Sequence, residues 1–148
     1  MKIDRTLKII AIISTAVGLV DSLYLTYIKL THTQALCLPG IGDCETVNTS
    51  RYSEVFGVPI ALFGALVYAV ILVLLLYEGR SVMGILVKKE ASQFAVFGLS
   101  LFGLLYSTYL TYIEIEVLRA ICPFCLISAI AMLAIFICSI FRLVKHQD

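Results

Sequence analysis

Charged residues are scarce in this 148-residue chain. They make up 14% of the sequence, against about 25% in ordinary soluble domains. Apolar residues make up 61%, which is more than a small soluble protein can bury, because such proteins leave a large share of their surface exposed. The formal net charge is +1, whereas a nucleic-acid-binding protein needs a basic excess. The composition therefore excludes a soluble globular domain, a disordered chain and a nucleic-acid binder.

Four apolar runs are long enough to cross a bilayer, which takes roughly 20 helical residues. They cover about 7–30, 57–77, 91–113 and 121–142. We predict an all-α integral membrane protein, with one transmembrane domain over residues 1–148 folded as a bundle of four transmembrane helices. Asp21 lies well inside the first run, where an ionisable group is a functional candidate by default. A structural hydrogen bond and proton delivery are both open for Asp21.

The distribution of basic residues indicates the orientation, because Lys and Arg accumulate in cytoplasmic loops. Most of them lie near the two termini or between the second and third runs: Lys2, Arg5, Lys8, Arg80, Lys88, Lys89, Arg142 and Lys145. This pattern places both termini in the cytoplasm and the loop over residues 31–56 on the outer side. We expect the membrane to be the cytoplasmic membrane of a bacterium or archaeon.

The sequence contains an internal repeat. Residues 18–28 recur as residues 103–113 at an offset of 85, with eight of eleven positions identical. A weaker similarity links residues 58–65 with residues 122–129 at an offset of 64. The repeat predicts two helical hairpins in parallel orientation, an architecture known in membrane proteins. The alternative is that apolar helices resemble one another by composition.

Four cysteines lie on the predicted outer side in two close pairs, Cys37/Cys44 and Cys122/Cys125, while Cys138 lies inside the last run. Disulfides persist on that side of the membrane. Three interpretations compete: structural disulfides, a four-cysteine zinc site and a dithiol relay. A Cys-x-x-Cys disulfide closes almost no loop, so it adds little stability. The six residues between Cys37 and Cys44 exceed the usual ligand spacing of zinc sites.

The dithiol relay is the interpretation that we favour. A Cys-x-x-Cys pair is typical of a reactive redox couple, and Pro123 is suited to the first turn of a helix, where the helix dipole favours thiolate. The chain has no glycine-rich nucleotide-binding fingerprint and no plausible pair of haem ligands. A lipid-soluble quinone therefore becomes the expected electron acceptor, as in the thiol-to-quinone route of the bacterial periplasm.

Taken together, these motifs resemble the vitamin K epoxide reductase family, in particular its short prokaryotic members without a fused thioredoxin-like domain. The resemblance rests on four features in order: the Cys37/Cys44 loop pair, Ser50-Arg51-Tyr52, Phe56-Gly57-Val58-Pro59 and Cys122-Pro123-Phe124-Cys125. It implies a four-helix bundle around a quinone, capped on the outer side by a half-helix and a loop.

The resemblance also implies a role for each matching residue. Cys122 and Cys125 would be the active-site couple, with Cys125 closest to the quinone. Cys37 and Cys44 would be the shuttle couple, and Cys44 would form the transient bridge to Cys122. Ser50 would lie beside the quinone ring, where its hydroxyl donates a hydrogen bond to a carbonyl that gains negative charge.

The implied activity is that of a membrane thiol–disulfide oxidoreductase. It would oxidise a periplasmic thioredoxin-fold partner, supplied in trans, and reduce ubiquinone or menaquinone, thereby supporting disulfide bond formation. Vertebrate members of the family carry a tyrosine four residues after the second active-site cysteine, where this chain has Ala129. Plain quinone reduction is therefore expected rather than epoxide reduction. The alternative is a non-enzymatic membrane scaffold or binding bundle whose outer disulfides are structural.

Overall fold

The computed structural model describes residues 2–33, 43–82, 85–86 and 88–147. Its α-helices, in chain order, are α1 (Lys2–Thr31), α2 (Cys44–Thr49), α3 (Ile60–Leu76), α4 (Lys89–Tyr112) and α5 (Pro123–Gln147). A 3₁₀ turn, Arg51–Ser53, follows α2, and a π-helical segment, Ile113–Leu118, continues α4. Two short antiparallel hairpins pair β1 (Glu54–Val55) with β2 (Val58–Pro59), and β3 (Ser81–Val82) with β4 (Ile85–Leu86). The predicted all-helical class is confirmed.

Within the described residues, three helical stretches are long and apolar enough to cross a membrane: Ile3–Thr31, Lys89–Leu118 and Pro123–Lys145. Helix α3 is equally apolar in character but has only 17 residues. Large apolar side chains point outward along these helices, among them Val20, Leu105 and Ile130, which are 68%, 63% and 58% exposed. An apolar surface of this extent suits lipid rather than water. The chain is therefore a membrane protein.

The four long helices pack as a ring in which α1 and α4 each contact both α3 and α5. The residues buried between them include Ala11, Ile71, Val96 and Ile135. Each helix contributes a stripe of apolar or small side chains to this core. The ring leaves room for a cavity at the end of the bundle where the cysteines lie, and the opposite end is closed by charged groups.

The internal repeat reappears as a pair of equivalent helix contacts. A Cβ atom added to Gly18 in α1 would lie 2.3 Å from Cζ of Tyr68 in α3. A Cβ atom added to Gly103 in α4 would lie 2.6 Å from Cε of Met132 in α5. The two glycines are related by the offset of 85, and Tyr68 and Met132 by the offset of 64. The α1–α3 and α4–α5 hairpins thus share one contact, which supports a duplicated hairpin.

An ionic cluster of Asp4, Lys8, Glu78, Lys89 and Arg142 closes the end of the bundle opposite the cysteines. The guanidinium of Arg142 donates to Glu78 Oε2 at 2.7 Å and to Asp4 Oδ1 at 2.9 Å. Lys8 pairs with Glu78 and Lys89 with Asp4, each at 3.2 Å. The side chains of Arg142 and Glu78 are only 4% and 3% exposed. The cluster therefore joins the ends of all four long helices.

Candidate functional site

The Cys-x-x-Cys motif lies at the start of α5, whose first residue is Pro123. The carbonyl of Cys122 accepts a hydrogen bond from the N–H of Leu126 at 3.1 Å, which closes the first helical turn. The ring of Phe124 packs against Tyr24 of α1 at a centroid distance of 5.2 Å. Cys122 is 1% exposed, whereas Cys125 is only partly buried. Helix α1 thus fixes the orientation of the motif.

Cys122 and Cys125 are both free thiols that contact each other. Contact with the thiol of Cys125 lowers the pKa of Cys122, because it stabilises the thiolate; burial opposes this effect. The thiolate is the form that reacts with a disulfide. The pair therefore has the chemistry that thiol–disulfide exchange requires.

A buried carboxylate, Glu114, lies beside the motif and is 4% exposed. Its Oε2 atom accepts a hydrogen bond from the backbone N–H of Cys122 at 3.1 Å, and the carboxylate also interacts with the thiol of Cys125. Its Oε1 atom is buried without a hydrogen-bond partner among the described residues. The sequence-based prediction did not include Glu114, which is one of two acids, with Glu116, between the third apolar run and the Cys-x-x-Cys motif.

The π-helical segment brings Glu114 to the motif. Arg119 ends the segment in the left-handed conformation, with φ 50° and ψ 34°, and its N–H donates to the carbonyl of Glu114. The N–H of Ala120 donates to the same carbonyl at 3.0 Å. The chain then turns back so that Cys122 comes under the Glu114 side chain. Wide helical turns of this kind occur frequently at functional sites.

Cys44 lies beside the same motif at the start of α2. The N–H of the preceding residue, Asp43, donates to the carbonyl of Ile121 at 3.1 Å, so the residues before Cys44 and Cys122 are backbone neighbours. Cys44 is fully buried and disulfide-bonded. The predicted partner, Cys37, lies outside the described residues.

The segment that follows Cys44 is anchored to α1 by Lys29. The ammonium group of Lys29 donates to the carbonyl of Asn48 at 2.5 Å and to Ser53 Oγ at 2.8 Å, and it pairs with Glu54 at 3.0 Å. These contacts fix the chain on both sides of Ser50. The hydroxyl of Ser50 donates to the carbonyl of Val47 at 2.7 Å.

A cavity of about 390 Å³ lies between the helices and this anchored segment. Its wall includes Ser50, Glu114, Cys122 and Cys125, together with Asp21 from α1. Asp21 is 7% exposed, and its Oδ2 atom has no hydrogen-bond partner within the described part of the chain. Most of the remaining lining is apolar, for example Leu25, Val67, Phe102, Leu110 and Met132. Three sequence-predicted site residues, Ser50, Cys122 and Cys125, thus share one cavity.

The fold and the site define a helical membrane protein with a dithiol at a helix start beside a largely apolar cavity. Among the described residues, no group of three or more His, Cys, Asp or Glu side chains is arranged to hold a metal ion.

Comparison with known proteins identifies the family. The model of the vitamin K epoxide reductase family matches residues 9–140, and the chain belongs to this family. The thiol-disulfide oxidoreductase LTO1 of Arabidopsis thaliana is 34% identical over 131 residues. The match covers 88% of this chain and 35% of that relative, so the chain corresponds to about a third of its length. The predicted family resemblance is confirmed.

Proposed function

We propose that the protein is a membrane thiol–disulfide oxidoreductase that passes electrons from a thioredoxin-fold thiol protein to a membrane quinone. Cys37 and Cys44 serve as the shuttle couple, and Cys122 and Cys125 as the active-site couple. One observation carries the proposal: the free dithiol lines a largely apolar cavity, and the chain just before it is hydrogen-bonded to the chain just before the disulfide-bonded Cys44. The name of the Arabidopsis relative, a thiol-disulfide oxidoreductase, agrees with this activity.

In the proposed topology all four long helices cross the membrane within one domain, and α2 with the following loop caps the cavity on the outer side. At about 1.5 Å per residue, the 17 residues of α3 extend about 26 Å, a few ångströms less than the hydrocarbon core. Local thinning of the bilayer or polar residues at the helix ends accommodate such a difference at small cost. The basic residues near both termini support a cytoplasmic location for them, in a bacterial or archaeal cytoplasmic membrane.

The first half of the proposed reaction is thiol–disulfide exchange. A thiolate of the partner attacks the Cys37–Cys44 disulfide at Cys37 and releases Cys44 as a thiolate, and the second thiol of the partner then resolves the mixed disulfide. Cys44 attacks the Cys122–Cys125 disulfide at Cys122, which releases the Cys125 thiolate. Cys37 finally attacks Cys44, so that the shuttle disulfide forms again and Cys122 is released. The partner has been oxidised, and the active-site couple holds its two electrons.

The contacts around Cys44 support the central exchange. The hydrogen bond from Asp43 to Ile121 holds the chain before Cys44 against the chain before Cys122. Both cysteines are buried, at 0% and 1% exposure, so their exchange is shielded from solvent thiols.

The residues around the cavity fit a quinone. The volume of about 390 Å³ lies within the range of small-molecule sites, which are mostly apolar with a few polar groups. A bound quinone would supply the acceptor for two electrons and two protons. Cys125 would face it with its sulfur, and Ser50 would donate a hydrogen bond once its hydroxyl turns away from Val47. Ubiquinone and menaquinone are both candidates.

Purified protein in detergent micelles tests the proposal. A reduced thioredoxin-fold thiol protein and a short-chain ubiquinone or menaquinone are added, quinol formation is followed by absorbance, and cysteines are trapped with a gel-shifting maleimide. We expect one quinol for each partner disulfide formed. Cys125→Ala should abolish quinol formation, whereas the control Cys138→Ala, which removes a buried free thiol from the same helix, should retain it.

Two outcomes contradict the proposal. If Cys125→Ala reduces the quinone at the parental rate, the active-site assignment is wrong. If the outer cysteines stay oxidised and no quinol forms with either quinone, the alternative of a scaffold with structural disulfides is correct.

A further inference from the structure

We propose that Glu114 is the proton acceptor of the active-site dithiol and takes the proton of Cys125 when that thiol ionises. The inference rests on the proposed function in so far as it treats Cys122 and Cys125 as a redox couple. Neither the family match nor the name of the relative assigns a role to Glu114.

The position of Glu114 gives it access to both sulfurs and to the cavity. One carboxylate oxygen, Oε2, is fixed by the backbone N–H of Cys122 at 3.1 Å. Glu114 and Cys125 line the same cavity. The other oxygen, Oε1, is buried without a partner among the described residues, and Glu114 belongs to the cavity wall. A buried acceptor with an unused oxygen beside a thiol is placed to receive that thiol's proton.

The charge balance of the site favours a shared proton. The described residues that line the cavity include no Lys, Arg or His, so no cation compensates a negative charge there. Two negative charges in contact in a buried site are strongly disfavoured, and such groups titrate as a unit. The ionisable groups that face this site are the acids Glu114 and Asp21, the thiols Cys122 and Cys125, and the phenols Tyr52, Tyr68 and Tyr106. One negative charge is therefore shared between the carboxylate of Glu114 and the sulfur of Cys125.

The proposed step is a proton transfer without oxidation. The S–H bond of Cys125 breaks, an O–H bond forms on Glu114, and the electron pair of the broken bond stays on the sulfur. The net charge of the cluster does not change, because the carboxylate becomes neutral as the thiolate forms. The thiolate thus forms inside the protein, and the proton moves to Glu114 instead of to solvent.

This step has a measurable consequence for thiol reactivity. For an isolated thiol at a pH below its pKa, the thiolate fraction falls tenfold for each further unit by which the pH is lowered. A thiol that exchanges its proton with Glu114 keeps a constant thiolate fraction until the carboxylate itself is protonated. The alkylation rate of Cys125 should therefore level off on the acid side in the parental protein and continue to fall in Glu114→Gln.

The test uses the reduced protein in micelles, carrying Cys138→Ala, with neither quinone nor partner present. The rate of limited alkylation of Cys125 by a small uncharged maleimide is measured between pH 5 and pH 8 and located by mass spectrometry. Between pH 8 and pH 5 we expect the alkylation rate to fall at least about tenfold less in the parental protein than in Glu114→Gln. Glu116→Gln is the matched control, because Glu116 is exposed on the same π-helical segment, and it should keep the parental profile.

A parental profile that falls tenfold per pH unit without levelling off overturns the proposal, and this holds even if Glu114→Gln does not fold. A profile that levels off equally in Glu114→Gln also overturns it and leaves Glu114 a structural acceptor for the Cys122 N–H. Glu114→Asp, which retains a carboxylate, should keep the level region. Since the assay contains no quinone, a failure here is separate from a failure of quinone reduction.

Discussion

The close contact between Gly18 and Tyr68 predicts that Gly18→Ala destabilises the bundle. The new Cβ atom would lie 2.3 Å from Cζ and 2.4 Å from Cε1 of the Tyr68 ring, whereas carbon atoms pack at about 3.5–4.0 Å. Tyr68 is 1% exposed, and its hydroxyl donates to the carbonyl of Ser128 at 2.8 Å. Either α1 moves away from α3 by more than about 1 Å at this point, or the ring shifts towards the cavity and strains that hydrogen bond.

The magnitude follows from two opposing contributions. Overpacking of this kind costs about 1–3 kcal/mol, while replacing a helical glycine by alanine gains about 0.5–1 kcal/mol. We expect Gly18→Ala to lower the free energy of unfolding by about 0.5–2 kcal/mol. Gly103→Ala should lower it less, because the nearest atom is the terminal methyl group of the flexible Met132. Gly98→Ala is the control: no atom lies within 4 Å of its added Cβ, so the variant should be at least as stable as the parent.

Thermal unfolding in detergent micelles, followed by circular dichroism, ranks the three variants. The expected order of stability is Gly98→Ala, parent, Gly103→Ala and Gly18→Ala. Combining Gly18→Ala with Tyr68→Leu should cost less than the sum of the two single changes, because the clash is absent once the ring is gone. If Gly18→Ala is as stable as Gly98→Ala, α1 and α3 do not pack in the way described and the shared contact of the two hairpins is wrong.

Two further predictions concern the two ends of the bundle. Arg142→Met should lower the free energy of unfolding by about 3–5 kcal/mol, because it leaves the buried Glu78 without its closest partner. The control is Lys145→Met, at an exposed position of the same helix, which should change the free energy of unfolding by less than about 0.5 kcal/mol. Equal midpoints of thermal unfolding for the two variants would refute this prediction. Lys29→Met should raise the KM for quinone more than it lowers kcat, because the segment around Ser50 loses its anchor on α1. Steady-state kinetics in which only kcat changes would contradict the role of Lys29 as this anchor.

The sequence was sufficient to predict the helical class, the membrane location and the family. Long apolar runs with few charges leave no alternative to helices in lipid, since every backbone polar group must be paired within the segment. The start of α5 at Pro123 follows from the missing N–H of proline. Ser50, Cys122 and Cys125 line one cavity, and the roles that the family resemblance implies for them stay predictions.

The π-helical segment and Glu114 were beyond the sequence analysis. The π-helical segment ends where the N–H groups of Arg119 and Ala120 both donate to the carbonyl of Glu114. No residue pattern in the run 113–118 predicts that geometry. In the sequence Glu114 is one of several acids on the predicted outer side, and only the structure shows that its carboxylate accepts from the N–H of Cys122. The ionic cluster could likewise not be predicted from the sequence, because it joins residues such as Asp4 and Arg142 that are 138 positions apart.

A single-turnover experiment tests the central claim most directly. A variant with Cys37, Cys44 and Cys138 replaced by alanine retains the active-site couple as its only thiols. After reduction and removal of the reductant, it is mixed with excess quinone under anaerobic conditions. We predict one quinol per protein molecule and the loss of both thiols to a Cys122–Cys125 disulfide, seen by mass spectrometry. If both thiols persist and no quinol appears, this dithiol does not reduce quinone and the account is wrong.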